Sequence, residues 1–344
     1  MAESAGKMPA AINSRLPSYP CNMPYGRLSI LDALRGTAIV LMLIQHSIYF
    51  LYYDLDGLVY GEAYLASRLS APLFLTIVGY CIALSAERRI PLTGRRGFMK
   101  HILVRAALLV ITASALNILR FDGIGTLNII HLITASILVT SVVRVFESRA
   151  AYAAALAGLL ALSVAPSLTG GWEAVNSWLP GWYSMAEGYA MGPWQFYGVL
   201  GLGLRWLLSG RKIPESHILP LAEILLLFGL ISLGLRMGVG ISENRLPYTL
   251  MLLAGMTAAY YVISAINEIK GMGRLMSVLT AYGRHSLALY LTHQILFITA
   301  PKLLGIGNAF GEAGTAAALL GFLLAAYAGT RIYEARRTAP PSRL

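Results

Sequence analysis

An acid, an arginine and a histidine stand on one apolar segment near the start of the chain: Leu31-Asp32-Ala33-Leu34-Arg35-Gly36, followed by Leu43-Ile44-Gln45-His46. Eleven helical steps of about 100° lead from Arg35 back to nearly the same face at His46. Asp32 shares that face. At about 5.4 Å per turn, the three turns between them put Arg35 near the inner boundary of a membrane-crossing helix and His46 well towards the outer one. An ionisable side chain inside lipid costs roughly 2.5 to 3.5 kcal/mol, so a line of three asks for a polar path beside it. Neutral imidazole is the usual general base near neutral pH, and burial would hold it uncharged. A plainer account gives the same spacing: Asp32 and Arg35 as an i, i+3 ion pair that fixes topology, with His46 bonded to a neighbouring helix.

The elements that must hold this line are membrane helices. The chain is 57% hydrophobic and 12% charged, with a mean hydropathy of +0.64, too little polar surface to cover a water-soluble body of 344 residues. Apolar runs fall near 29–53, 64–86, 101–119, 124–146, 150–169, 191–209, 217–239, 247–267, 283–304 and 313–335, each able to cross roughly 30 Å of hydrocarbon as a helix. The expected fold is therefore all-α, a polytopic transmembrane bundle of about ten helices.

Orientation follows from the basic residues, which favour cytoplasmic loops. Arg88, Arg89, Arg95, Arg96 and Lys100 follow the second span, Arg144 and Arg149 the fourth, Arg211 and Lys212 the sixth, and Lys270 and Arg274 the eighth. The alternate loops hold Asp54, Asp56, Glu62, Asp122, Glu173, Glu187, Glu243 and Glu312. With Arg27 before the first span and Arg336 and Arg337 after the last, both ends are expected in the cytoplasm. This gives a cytoplasmic arm at 1–27, a transmembrane domain at 28–336 and a cytoplasmic tail at 337–344. The arm has no apolar core, so no cleavable signal peptide is expected and the first span stays as an anchor. The net charge of +11 belongs to these loops, and no basic and aromatic module suggests nucleic acid. Cys21 and Cys81 lack the spacing of a disulfide framework or a zinc site; free thiols and no metal are expected.

Several segments together resemble a family. Arg27-Leu28-Ser29-Ile30-Leu31-Asp32-Ala33-Leu34-Arg35-Gly36-Thr37-Ala38 with His46 is similar to the opening helix of multi-pass membrane acyltransferases, and in particular of the heparan-alpha-glucosaminide N-acetyltransferase-like group. Ala71-Pro72-Leu73-Phe74-Leu75 to Val78-Gly79-Tyr80, with the exit Glu87-Arg88-Arg89, resembles its second helix, and Leu127-Asn128-Ile129-Ile130-His131 its fourth. Tyr282-Gly283-Arg284-His285-Ser286-Leu287-Ala288-Leu289-Tyr290-Leu291-Thr292-His293-Gln294 resembles a late helix of the wider superfamily.

The resemblance implies an acyl-CoA donor, acetyl-CoA or another, arriving from the cytoplasm. An acceptor hydroxyl or amine on a carbohydrate or lipid approaches from the outer side, with His46 between them and Asp32 and Arg35 beside it. CoA carries phosphates, and Arg35, Arg88, Arg89, Arg105 and Arg284 are suited to charge-assisted contacts with them; the positive-inside rule alone also accounts for loop arginines. Acceptor-side candidates are Gln45, Tyr80, Asn128, His131 and His293. His131 is expected about two turns into the fourth span on the face of Asn128, and His293 near mid-span on the face of Ser286 and Tyr290, where packing hydrogen bonds are the alternative. His101, His217 and His285 lie near inner span ends and are assigned interfacial roles. Trp172, Trp178, Trp182 and Tyr183, with Glu173 and Glu187, could hold a sugar, but amphipathic rings also gather at bilayer interfaces.

The expected location is the cell membrane, and the reading is compatible with a homodimer. A secondary transporter or lipid flippase with the buried histidines as a proton relay is the alternative function, although no internal repeat is visible. A structural scaffold would explain the spans but not the polar line in the first of them.

Overall fold

The computed structural model describes residues 29–52, 63–64, 67–120, 128–145, 150, 153–155, 157–158, 191–208, 271–306 and 309–338. Among them every regular element is helical. Helix α1, Ser29–Ser47, runs on through a π-helical turn at Ile48–Tyr52. Its first turn holds Asp32, where a carboxylate complements the positive end of the helix dipole. With the turn it is 24 residues long, about 36 Å at 1.5 Å per residue, enough to cross a bilayer.

The expected second and third spans are two helical arms that meet at Gly94, named together α2, Ser70–Leu119. Fifty helical residues in a straight line would be about 75 Å long, more than twice the hydrocarbon thickness. The line is broken at Gly94, whose φ of 68° and ψ of 174° belong to a region that essentially only glycine occupies. Beyond it the chain folds back: Ile82 and Ala86 from the first arm share a buried cluster with Phe98 and Ile102 from the second. The turn leaves Arg88, Arg89, Arg95, Arg96 and Lys100 exposed, at the position where a basic loop was expected. The helix begins at Ser70 rather than at 64, the start suggested by the apolar run.

Helix α3, Ile129–Arg144, is preceded by Asn128, whose side chain accepts from the backbone N–H groups of Ile130 and His131. His131 in turn accepts from the Asn128 N–H, so an imidazole completes the capping box that Glu or Gln usually closes. Helix α4 is Met191–Leu208, α5 is Gly273–Arg284 and α6 is Ser286–His293. A second π-helical turn, Gln294–Thr299, joins α6 to α7, Ala300–Leu304, which stops at left-handed Gly305. Helix α8, Glu312–Thr338, continues two residues past the expected domain limit at 336.

Four of these segments are long and apolar enough to cross a membrane: Ser29–Tyr52, Ser70–Leu119, Ser286–Leu304 and Glu312–Arg336. Leu103, Val104, Leu108 and Ile111 on α2, and Leu320, Leu324 and Ile332 on α8, stay exposed, which suits contact with lipid tails. The expected spans at 217–239 and 247–267, nearly all of that at 150–169, the aromatic loop at 170–190 and the arm at 1–27 lie outside the described residues.

The first helix is central. Its Ala33, Leu34 and Ala38 pack into a core with Leu73 and Leu75 of α2, Leu132 of α3, Tyr197 of α4 and Met276 of α5. Its Ile39 and Leu43 enter another with Tyr282 of α5, Leu289 of α6, Phe297 of the π turn and Phe322 of α8. Close approach to α5 depends on two missing side chains: a Cβ on Gly36 would collide with the Leu279 carbonyl, and one on Gly283 with the Asp32 carbonyl. The end of α5 is thereby pressed against the start of α1, which brings Arg284 to the level of Asp32.

Candidate functional site

The polar line on α1 faces a cavity of about 770 Å³ between α1, both arms of α2, α3 and the α5–α6 junction. Asp32 and His46 are both in its wall; fourteen helical rises of 1.5 Å separate them by roughly 21 Å, so the cavity extends along most of the helix. Arg35, Arg88, Arg89, Arg105 and Arg284 contribute to the same wall, together with Gln45, Ser70, Cys81 and Tyr290. From α3 the contribution is apolar, through Ile129, Ile130, Ile133 and Ile137.

At one end Arg35 is held by two partners. Its Nη1 donates to Asp32 Oδ1 at 2.9 Å, and its Nη2 donates to Cys81 Sγ at 3.4 Å. Asp32 is only 3% exposed, so the carboxylate acts through the guanidinium it orients while the guanidinium lines the cavity. Arg284 pairs with Glu334 of α8 at 3.1 Å, and Nε2 of His285 lies 3.5 Å from the same carboxylate oxygen. The last helix thereby positions a cation of the cavity wall. The cluster also accounts for His285 as a junction residue between α5 and α6.

Further along, Ser70 donates to Gln45 Oε1 at 3.4 Å, tying α1 to the start of α2. Nδ1 of His46 is 2.7 Å from Nε2 of His293, and the rings meet edge to edge, with centroids 5.0 Å apart and planes 28° from parallel. Phe50 meets the His46 ring edge-on at 5.6 Å. His293 is completely buried. It lies behind His46, while Ser286 and Tyr290 from its own helix face the cavity.

The structure thus brings together Asp32, Arg35, Gln45, His46, Arg88, Arg89, Arg105 and Arg284, with His293 touching from outside the wall. Tyr80 points elsewhere: the Arg205 guanidinium of α4 sits 5.9 Å from its ring, and Arg205 also pairs with Glu87 at 2.7 Å. Asn128 is buried behind α3, where it donates to Asn117 Oδ1 at 2.8 Å and to the Ala113 carbonyl while capping the helix. His131 is in the first turn of α3 and not two turns in, because the helix starts at Ile129 and not at 124. Their apolar neighbours line the cavity in their place.

Two residues that the sequence did not single out join the site. Gln294, 1% exposed, has its Nε2 at 3.0 Å from Nε2 of His293 and accepts from Arg120 Nη1 at 3.3 Å through Oε1. An amide inside the apolar run 283–304 was the available signal, but it gives no hint of a partner 174 residues away. Cys81 was read only as a free thiol; its place against Arg35 depends on how α2 packs on α1.

Residues 27–295, more than three quarters of the chain, fit the family model described as heparan-alpha-glucosaminide N-acetyltransferase, catalytic. The match begins just before α1 and ends just after His293 and Gln294, so it takes in every wall residue named above. No curated protein matches the chain.

Proposed function

Because the chain belongs to the heparan-alpha-glucosaminide N-acetyltransferase family, we propose that it is a membrane-embedded acyltransferase of the cell membrane, moving an acyl group, acetyl first among them, from acyl-CoA to a hydroxyl or amine. The observation that carries this reading is the single cavity that joins a cluster of arginines to His46. The basic end faces the cytoplasm. There Arg88, Arg89, Arg105 and Arg284 bind the phosphates of the donor by charge-assisted hydrogen bonds. Arg35, oriented by Asp32, stands further along the path of the thioester arm.

His46 then takes the proton from the acceptor hydroxyl or amine as that group attacks the thioester carbonyl. The carbon–sulfur bond breaks, and the imidazolium returns its proton to the departing sulfur, which leaves as the CoA thiol. In the covalent variant the imidazole nitrogen attacks first, the carbon–sulfur bond breaks and the ring N–H gives its proton to the departing thiolate; the acceptor then displaces the acyl group from the ring and returns its own proton to the imidazole. The mixed wall, with Gln45 and Ser70 close to the polar end of α1 and isoleucines of α3 opposite, suits an acceptor such as a glycan or lipid headgroup.

Purified His46→Ala protein tests this assignment. Acyl-CoA turnover is expected to fall by at least about a hundredfold, while CoA still raises the melting temperature in detergent. Wild-type turnover in the variant would remove His46 from the chemistry. A wild-type protein that neither binds CoA nor turns it over would remove the acyltransferase reading and favour a transporter.

A further inference from the structure

We propose that Arg120, Gln294 and His293 form a positioning chain that fixes the tautomer of His46, holding its proton on Nδ1 and leaving Nε2 as the basic atom. The inference rests on His46 being the acyl-transfer base and adds the residues that make one particular nitrogen of it basic.

Two groups in this chain, the Arg120 guanidinium and the Leu289 carbonyl, have a hydrogen-bonding role that cannot change. A guanidinium only donates, so the Gln294 atom facing Arg120 Nη1 at 3.3 Å is the carbonyl oxygen and the amide nitrogen is turned towards His293. That nitrogen also only donates. Nε2 of His293, 3.0 Å from it, is therefore an acceptor. At the other side of the same ring, Nδ1 lies 3.3 Å from the Leu289 carbonyl, which only accepts, so Nδ1 carries the proton. Both ends of His293 agree on one neutral tautomer, and a second proton, on Nε2, would set an N–H against the Gln294 N–H. His46 Nδ1, 2.7 Å from the same unprotonated Nε2, is then the nearer of two donors that share its one lone pair in a three-centre bond with the Gln294 amide. A neutral imidazole with its proton on Nδ1 presents its lone pair at Nε2.

Three of the four residues have little freedom to choose otherwise. His293 is completely buried and Gln294 is 1% exposed, so exchange with water does not offer alternative partners. Arg120 sits at the end of α2, and its backbone carbonyl accepts from Lys302 of α7 at 3.0 Å, which ties the origin of the chain to the helix that follows Gln294. The π-helical turn at Gln294–Thr299 belongs to the same device: it directly follows His293 and begins with Gln294, and such turns are frequent at functional sites. His293, Gln294 and Arg120 are positioning residues; only His46 lies in the cavity wall.

The test reads the tautomer directly. The full chain, labelled with ¹⁵N in its histidine rings and held in lipid bilayers without acyl-CoA, gives distinct signals for protonated and unprotonated ring nitrogens, and His46→Gln identifies the relevant pair among the six histidines. His46 is expected to be protonated at Nδ1 and bare at Nε2; the opposite tautomer in the wild type overturns the proposal. Gln294→Glu replaces the amide by a group that accepts from His293 Nε2, so the His293 proton moves there and His46 loses its acceptor. The His46 signals are then expected to shift towards the Nε2–H form, with kcat lowered at least about tenfold and KM for acyl-CoA within about twofold. Unchanged tautomer and unchanged kcat overturn the proposal. Arg120→Met frees the amide to rotate and is expected to act in the same direction; if either variant fails to fold, the other and the wild-type tautomer decide. Because the spectrum needs no substrate, the expected tautomer in a protein without acyl-CoA turnover would sink the acyltransferase reading and leave the chain standing, whereas turnover with the opposite tautomer would do the reverse.

Discussion

Arg35 binds Asp32 with one terminal nitrogen and Cys81 with the other, at 2.9 Å and 3.4 Å, so a single guanidinium links the acid of the first helix to a thiol on the second. The relationship is asymmetric. All three residues border the cavity, but Asp32 is only 3% exposed and bonded to the guanidinium, which makes the carboxylate the anchor and leaves Arg35 and Cys81 as the groups a ligand would meet.

Asp32→Ala removes one partner of a largely buried pair and leaves the guanidinium without its counter-charge. A cost of about 2–4 kcal/mol is expected, read as a lower melting temperature in detergent, together with weaker CoA binding. Asp32→Glu should restore part of both. Full stability in the alanine variant would mean that Arg35 needs no anchor.

Cys81 offers a reporter for the cavity. In a Cys21→Ser background, alkylation of Cys81 by N-ethylmaleimide is expected to slow by about tenfold at saturating CoA, following the fraction of sites left empty. The measurement is a labelling time course by mass spectrometry. An identical rate with and without CoA would place the donor outside this cavity.

Arg284 stands at the level of Asp32 and is steered by Glu334 from the last helix. Arg284→Gln is expected to weaken CoA binding by about 10- to 150-fold, the range of one charge-assisted contact, with kcat close to wild type. Dephospho-CoA, which lacks one phosphate, should narrow the difference if Arg284 meets that group. Equal affinity of the variant and the wild type for CoA, measured by calorimetry, would count against the basic end as the donor site.

Two glycines separate a steric from a conformational requirement. Gly283→Ala drives a methyl group into the Asp32 backbone at the α1–α5 crossing, and about 1–3 kcal/mol of destabilisation is expected with a lower melting temperature. Gly94→Ala meets nothing within 4 Å and costs only the strain of its backbone conformation, about 1–3 kcal/mol. Catalysis should suffer in the first, because the crossing sets the level of Arg284, and should be nearly unchanged in the second. The reverse order would contradict the packing described above.

The sequence by itself determined that the chain is helical and belongs in a membrane, and it placed the polar groups of α1 on one face. Those properties are local: a run of apolar residues must satisfy its backbone within its own helix in lipid, and helical periodicity alone aligns Asp32, Arg35 and His46. The same rules located the basic turn after Arg88. They did not single out Gly94 as the residue at which the second and third spans turn back on each other, because the signal is a single φ angle. Nor could they separate Asn128, absorbed in capping α3, from Gln45, which lines the cavity, since both are amides in apolar surroundings. Only the tertiary structure decided that His293 stands behind His46 and that Arg120 reaches Gln294 across 174 positions. Hydrogen-bond partners between helices depend on crossing angles and on the small residues that permit close approach, and neither has a period that can be read along one chain.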